Sequence, residues 1–157
     1  MDPLTITVGV TSLLVSVAKV INSCNDIQIR YELAKDILPA IIRECDLMKL
    51  GFVKIHDLLE SGHDRYRDKD DLLSVLENTL AGCALVLDVL REEVGAEQLQ
   101  GVRQRPKPNQ SSKLKFLWNE TKLRELLTQL RGQQGGLTLI LTIMQTYDHS
   151  LTRRHPG

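Results

Sequence analysis

The sequence is poor in aromatic residues, which make up 4% of its 157 residues, and it carries no net charge. Few aromatics together with abundant leucine are typical of helical proteins and disfavour a β-sandwich or barrel. Twenty basic residues balance twenty acidic ones, so the overall charge does not favour attraction to nucleic acid. Apolar residues make up 42% and charged residues 25%. This composition predicts a single folded domain over residues 1–157 rather than a disordered or membrane-embedded chain.

Cysteine and histidine are few and widely spaced. Cys24, Cys45 and Cys83 lack the even framework of a small secreted fold, which favours a reducing, cytoplasmic compartment. Cys45 and Cys83 fall within apolar patterns, where we expect them to pack as small hydrophobes. No zinc-site spacing, glycine-rich phosphate loop, HExxH or GxSxG motif is present in the sequence. We therefore expect no catalytic residue, metal, cofactor or small-molecule substrate, and no enzymatic activity.

The first segment has sixteen consecutive residues without a charge, Pro3 to Ala18. Its many Val, Ile and Thr residues make a strand a competing interpretation, but the apolar residues recur at three-and-four spacing and predict a helix over residues 3–24. The apolar face of this helix contains Ile6, Val10, Leu13, Leu14, Val17, Val20, Ile21 and Cys24. The opposite face is small and weakly polar, where a solvated helix would present Glu or Lys.

This helix is the main candidate for contact with a membrane or with a second copy of the chain. No positive residue precedes the apolar run, so we do not interpret it as a secretory signal. Sixteen residues span about 24 Å, short of the roughly 30 Å of a bilayer core, so the segment is a poor permanent anchor. Packing within a bundle, lying in the interface and inserting on oligomerisation all stay open. The residues assigned to this contact are Leu4, Ile6, Val8, Val10, Leu13, Leu14 and Val17.

Three further apolar stripes predict three more long helices, over residues 29–61, 70–94 and 113–150. Pro39 is expected to kink the first of these, and Gly62 to end it before a charged surface loop. Gly95 is the predicted C-cap of the next helix. The predicted fold is therefore all-α: an antiparallel helical bundle of four long helices plus a short extra helical turn.

The short extra turn is placed near Lys113–Leu117, before the main part of the last helix. Asn119 is the predicted N-cap of that main part, with Trp118 and Leu123 forming a hydrophobic staple around it. Gly135 and Gly136 lie farther along the same pattern, where a kink or a close helix crossing would explain them.

Residues 95–112 interrupt the apolar pattern and are predicted to form a basic loop. Between Gln98 and Asn119 there are five basic residues and no acidic ones. These residues are Arg103, Arg105, Lys107, Lys113 and Lys115. Anionic membrane lipid is a candidate partner for this basic surface, and a plain solvated loop is the simpler interpretation. Binding of nucleic acid is the weakest of the alternatives.

Three stretches resemble the N-terminal helical domains of fungal multidomain proteins. The opening MDPLTITVGVTSLLVSVAKV is similar to their MDPLSI-type start, and LLSVLENTLAGCALVLDVLREEV is similar to their third helix. KLKFLWNETKLRELLTQLRGQQGGLTLIL resembles their last-helix signature. The residues that carry this last similarity are Trp118, Asn119, Glu120, Leu126, Leu130, Arg131 and Gln133.

The resemblance implies a helical domain that precedes ankyrin repeats or a NACHT-type nucleotide-binding module, an architecture of the NOD-like receptor (STAND) type. The fungal domain is distantly related to HeLo and HeLo-like domains. In those domains an N-terminal apolar helix permeabilises membranes in heterokaryon incompatibility, a programmed cell death. We therefore expect a cytoplasmic effector, recruited to the plasma membrane, that acts through oligomerisation and its first helix. The alternative is an interaction or dimerisation scaffold that never touches lipid.

Overall fold

A computed structural model describes residues 2–30, 36–103 and 110–154, and of residues 29–30, 63, 96–103 and 110–119 the backbone only. Within these ranges the chain forms five helices and no strand, which confirms the all-helical prediction with four long helices. The helices are α1 (Pro3–Arg30), α2 (Ile37–Ser61), α3 (His63–Tyr66), α4 (Asp70–Arg103) and α5 (Gln110–Arg154).

The start of α2 corrects one sequence prediction. The second helix was expected from residue 29 with a kink at Pro39, but α1 continues to Arg30 and α2 begins at Ile37. Pro39 therefore lies in the first turn of α2, where a backbone N–H has no partner within the helix and proline costs little. Gly62 ends α2 as predicted, and its N–H donates to the carbonyl of Leu58 at 3.0 Å.

The predicted basic loop at residues 95–112 is corrected as well. Helix α4 continues through Gly95 to Arg103, and α5 already begins at Gln110; residues 104–109 lie outside the described ranges. The predicted short turn at 113–117 is part of α5, and Asn119 has a helical backbone well inside it. Asn119 is therefore not an N-cap. Its cap signal is local, and the helix around it overrides that signal.

The four long helices pack as a ring in which α1 contacts α2 and α4, and α5 contacts the same two helices. The contacts between α2 and α5 follow the same order along both helices. Glu44 contacts Arg131, and Gly51, later in α2, lies against Leu137, later in α5. Contacts between α4 and α5 advance in opposite directions, since Glu93 meets Lys122 while Gly82, earlier in α4, faces Gln133. Helices α2 and α5 are therefore parallel neighbours, and α1 and α5 lie at opposite corners of the ring.

The segment between α2 and α4 crosses one end of this ring and contacts α5. It was predicted to be a charged surface loop, but it contains α3 and the buried side chain of Tyr66. The Tyr66 hydroxyl donates to the carbonyl of Met144 at 3.3 Å, and Arg65 forms an ion pair with Asp148. These contacts hold the crossing connection against the end of α5.

Candidate functional site

The residues predicted for membrane or oligomer contact lie on two different sides of α1. Ile6, Val10, Leu13 and Val17 are buried in the core, and Leu14 is partly buried against it. Leu4 and Val8 instead lie on the surface, with 60% and 67% of their area exposed. The structure therefore does not bring these residues together into one apolar surface.

The buried side of α1 is a large part of the domain core. It packs against α2 and α4 and extends beyond the predicted end of the helix. Its buried side chains are Ile6, Val10, Leu13, Val17, Val20, Cys24 and Ile27. At about 1.5–3 kcal/mol for each buried apolar side chain, removing α1 into water would cost roughly 10–20 kcal/mol. A whole domain is typically stable by about 5–15 kcal/mol, so α1 can leave only if its apolar side is buried again elsewhere.

The outward side of α1 is uncharged over its first sixteen residues and carries three exposed apolar side chains. These are Leu4, Val8 and Val15, the last 52% exposed. The side chains of Thr7 and Thr11 donate hydrogen bonds to the backbone carbonyls four residues earlier, at 2.9 and 3.1 Å. Because these hydroxyl donors are already satisfied, this side of α1 can lose its water without leaving them unpaired.

All three cysteine thiols are free and fully buried. This confirms that Cys45 and Cys83 pack as small hydrophobes. Burial raises the pKa of Cys24, Cys45 and Cys83 to about 12. Cys24 lies on α1 and Cys45 on α2, two helices that pack against each other. Because only the thiolate reacts readily, these thiols are protected for as long as they stay buried.

One buried charged residue was not singled out from the sequence. Glu44 on α2 is only 7% exposed, and its carboxylate accepts a hydrogen bond from Nε of Arg131 on α5 at 3.3 Å. Its position between Ile41 and Met48 on the apolar stripe of α2 was the available signal. The pair connects two parallel helices, and Arg131 itself remains half exposed.

The predicted basic surface and the predicted staple are only partly described. The backbones of Arg103, Lys113 and Lys115 are helical, and Arg105 and Lys107 lie outside the described residues. The backbones of Trp118 and Asn119 lie within α5, and Leu123 is buried in the core. Contact of the five basic side chains with lipid or nucleic acid therefore stays a prediction.

Among the residues that the structure describes, two helical segments are long and apolar enough to cross a membrane, Pro3–Gln28 and Asp70–Gly95. The criterion rests on length and composition, which the core helices of soluble proteins also satisfy. In the part of the chain that is described, no three His, Cys, Asp or Glu side chains are grouped to hold a metal ion. No protein-family model, curated protein or solved structure matches the chain, so the resemblance to fungal receptor domains stays a prediction.

Proposed function

We propose that the chain is a non-enzymatic helical signalling domain of the fungal NOD-like receptor type. It acts by self-association and by moving α1 from the core to a membrane, in cell death or incompatibility. Consecutive long helices alternate in direction in the proposed bundle, which is antiparallel in that sense. The cytoplasm is the proposed resting location, and the plasma membrane the site of action.

The observation that carries this proposal is the difference between the two sides of α1. One side is buried in the core, and the other presents exposed Leu4, Val8 and Val15 without any charge before Lys19. A helix that only had to cover the core would meet water with charged side chains. An uncharged outward side is instead suited to an apolar surface, which can rebury the inner side when α1 leaves the bundle.

The cost of releasing α1 determines how the membrane step can proceed. Since release into water costs about as much as unfolding the domain, α1 must be transferred directly from the core to lipid. The domain first binds through the outward side, and the inner side follows into the interface. The basic residues from Arg103 to Lys115 favour vesicles with anionic headgroups.

The test is leakage of dye from anionic and from neutral vesicles, with the full chain and two charge variants. Val8→Glu places a carboxylate on the outward side of α1, and Leu50→Glu is the matched control because Leu50 is equally exposed, at 68%, on α2. We expect leakage from anionic vesicles that falls at least tenfold in Val8→Glu and is unchanged in Leu50→Glu. Equal leakage by both variants, or none by the unmodified chain, would contradict the membrane step.

The alternative function is an interaction scaffold without membrane activity. It is favoured by the large share of the core that α1 provides, because a helix with seven side chains in the hydrophobic core is also a permanent structural element. For the scaffold we expect Val8→Glu to change self-association while vesicle binding is absent throughout. The absence of leakage together with a change in association would select this alternative.

A further inference from the structure

The connection between α2 and α4 is an ordered segment of its own. It runs from Gly62 to Lys69 and contains α3, and we call it the strap. Within it the N–H of Arg65 donates to the carbonyl of Gly62 at 2.8 Å, and the N–H of Lys69 to the carbonyl of Tyr66 at 3.1 Å. An added Cβ at Gly62 would lie 3.0 Å from Cε2 of Tyr66. Glycine at this position therefore allows the tyrosine ring to pack closely against the beginning of the strap.

Three side chains of the strap contact one short stretch of α5. Besides the hydrogen bond of Tyr66 and the ion pair of Arg65, Nζ of Lys69 lies 5.4 Å from the centre of the Tyr147 ring, within the range of a cation–π contact. The three partners on α5 lie within two turns of one another. The strap is therefore attached to α5 as well as to the two helices that it joins.

The strap passes across the middle of the ring of helices. Because α1 and α5 each contact both α2 and α4, α2 and α4 occupy opposite corners, and the strap spans the distance between them. Neighbouring helices pack about 9 Å apart, so opposite corners are about 13 Å apart. The strap contacts α5 on one side of this diagonal and α1 on the other. In the proposed bundle consecutive helices alternate in direction, so α1 begins at the end of the ring where the strap lies.

This path fixes the space that α1 fills between α2 and α4, which we call the α1 slot. Without α1, the three remaining helices bury their apolar sides best as direct neighbours, about 9 Å apart. The strap is continuous with the end of α2 and the beginning of α4, and its side chains are bound to α5. It therefore opposes the approach of α2 to α4 that would close the slot.

We propose that the strap keeps the α1 slot open and α1 docked, and that detachment of the strap from α5 is a step in the release of α1. This inference rests on the proposed function, in which α1 moves from the core to lipid. Lipid can replace the apolar contacts that α1 loses. It does not replace the polar contacts between the strap and α5, so these contacts oppose release without compensation.

The contact between the strap and α5 is suited to opening. Its ion pair is partly solvated, since the side chains of Arg65 and Asp148 are 44% and 31% exposed. A cavity of about 10 Å³ remains between the strap and α5 beside Tyr66, enough for a single water molecule. A half-exposed, incompletely packed contact separates more easily than the apolar core does.

The test is hydrogen–deuterium exchange of the full chain in buffer without vesicles, read by mass spectrometry. Arg65→Ala/Lys69→Ala, at two exposed positions, removes the ion pair and the cation–π contact. We expect the amides of α1 from Ile6 to Val17 to exchange at least fivefold faster in this variant. Amides in the middle of α5, from Leu130 to Leu137, should change less than twofold, because a local opening of α1 leaves α5 folded.

Two matched variants separate the contacts of the strap from the loss of charge. Arg65→Lys/Lys69→Arg keeps both cations, and its α1 amides should exchange within twofold of the unmodified chain. Lys122→Ala/Arg124→Ala removes two cations that form ion pairs in the first half of α5. It has the same net charge as Arg65→Ala/Lys69→Ala and should also leave exchange of α1 within twofold.

Three results in buffer would overturn the proposal. They are unchanged exchange of α1 in Arg65→Ala/Lys69→Ala, equal acceleration in α1 and α5, and the same acceleration in Lys122→Ala/Arg124→Ala. The first would show that the strap does not hold α1. The second would show a general loss of stability, and the third an effect of charge alone.

Dye release from anionic vesicles, measured on the same chains, connects the strap to the membrane step. Release should be at least fivefold faster for Arg65→Ala/Lys69→Ala than for Lys122→Ala/Arg124→Ala. Equal rates for these two variants, with a chain that does release dye, would overturn the proposal. Faster exchange of α1 with no dye release by any chain would support the strap and contradict the membrane step, so the two failures are distinguishable.

Discussion

Replacing Gly95 by alanine distinguishes a continuous α4 from a helix that ends at residue 94. In the structure α4 runs through Gly95, no described glycine has a positive φ, and an added Cβ meets nothing within 4 Å. Alanine there should stabilise the domain by about 1 kcal/mol, because glycine is the poorer residue in a helix interior. If Gly95 were instead a left-handed C-cap, alanine would be strained and would destabilise the domain by a comparable amount.

Gly51→Ala is the contrasting substitution, because the same chemical change meets a neighbour. Its Cβ would lie 2.8 Å from Cδ2 of Leu137, a side chain only 2% exposed that has little room to move. Overpacking costs about 1–3 kcal/mol, which offsets or exceeds the gain in helix propensity. We therefore expect Gly95→Ala to be the more stable of the two variants by about 1–3 kcal/mol.

Urea denaturation followed by helical circular dichroism measures both variants against the unmodified chain. For a domain of this size 1 kcal/mol corresponds to about 2–4 °C in melting temperature, so thermal melts provide a second readout. Destabilisation by Gly95→Ala would refute the continuous α4. A gain in stability for Gly51→Ala equal to that of Gly95→Ala would refute the close packing of α2 against α5.

Three further predictions concern buried polar groups. Tyr66→Phe removes the hydrogen bond to the Met144 carbonyl and should cost about 1 kcal/mol in urea denaturation; no loss would mean that the bond does not fasten α3. Arg131→Ala leaves the Glu44 carboxylate buried without its partner and should cost roughly 2–4 kcal/mol, whereas Glu44→Gln should cost less than about 1 kcal/mol; the reverse order would contradict the buried pair. Because burial raises the pKa of the Cys83 thiol to about 12, its contribution to stability is complete below the pKa of the unfolded thiol and is lost as pH rises toward 12. Above about pH 9 the free energy of unfolding should therefore fall less steeply in Cys83→Ala than in the unmodified chain. The two slopes should differ by about 1.4 kcal/mol per pH unit, and equal slopes would show that the thiol is not buried.

The sequence was sufficient to predict the long helices and most of their buried sides. Periodicity identified Val10 and Val17 on α1, because burial on one side of a helix leaves a repeat of three and four residues. The same repeat runs along α5 through buried Leu130, Leu137 and Met144. Gln134 also keeps that repeat, but it is only partly buried, and its amide lies 3.4 Å from the hydroxyl of Thr138.

Signals that depend on a single residue were the less reliable ones. Gly95 and Asn119 have the chemistry of helix ends, but the helices continue through them. Gly135 and Gly136 were expected at a close crossing or kink, yet the close approaches occur at Gly51 and Gly82. Which glycine meets a neighbour depends on the register between helices, and a single sequence does not contain that register.

The parallel packing of α2 and α5 could likewise not be predicted from the sequence. Helix direction follows from connections and contacts between distant residues, such as Glu44 with Arg131, rather than from local periodicity. Of the candidate site, the uncharged run of α1 was recognisable, but its division into a buried side and an outward side required the positions of α2 and α4.

The transfer of α1 from the core to lipid is tested most directly by the accessibility of Cys45. This thiol is fully buried on α2, which packs against α1, and should become reactive only when α1 leaves. The measurement is maleimide labelling at neutral pH, with mass spectrometry to locate the label, in buffer and with neutral or anionic vesicles. We predict no labelling of Cys45 in buffer or with neutral vesicles and clear labelling with anionic vesicles. A chain that binds anionic vesicles and makes them leak while Cys45 stays protected would contradict the release of α1.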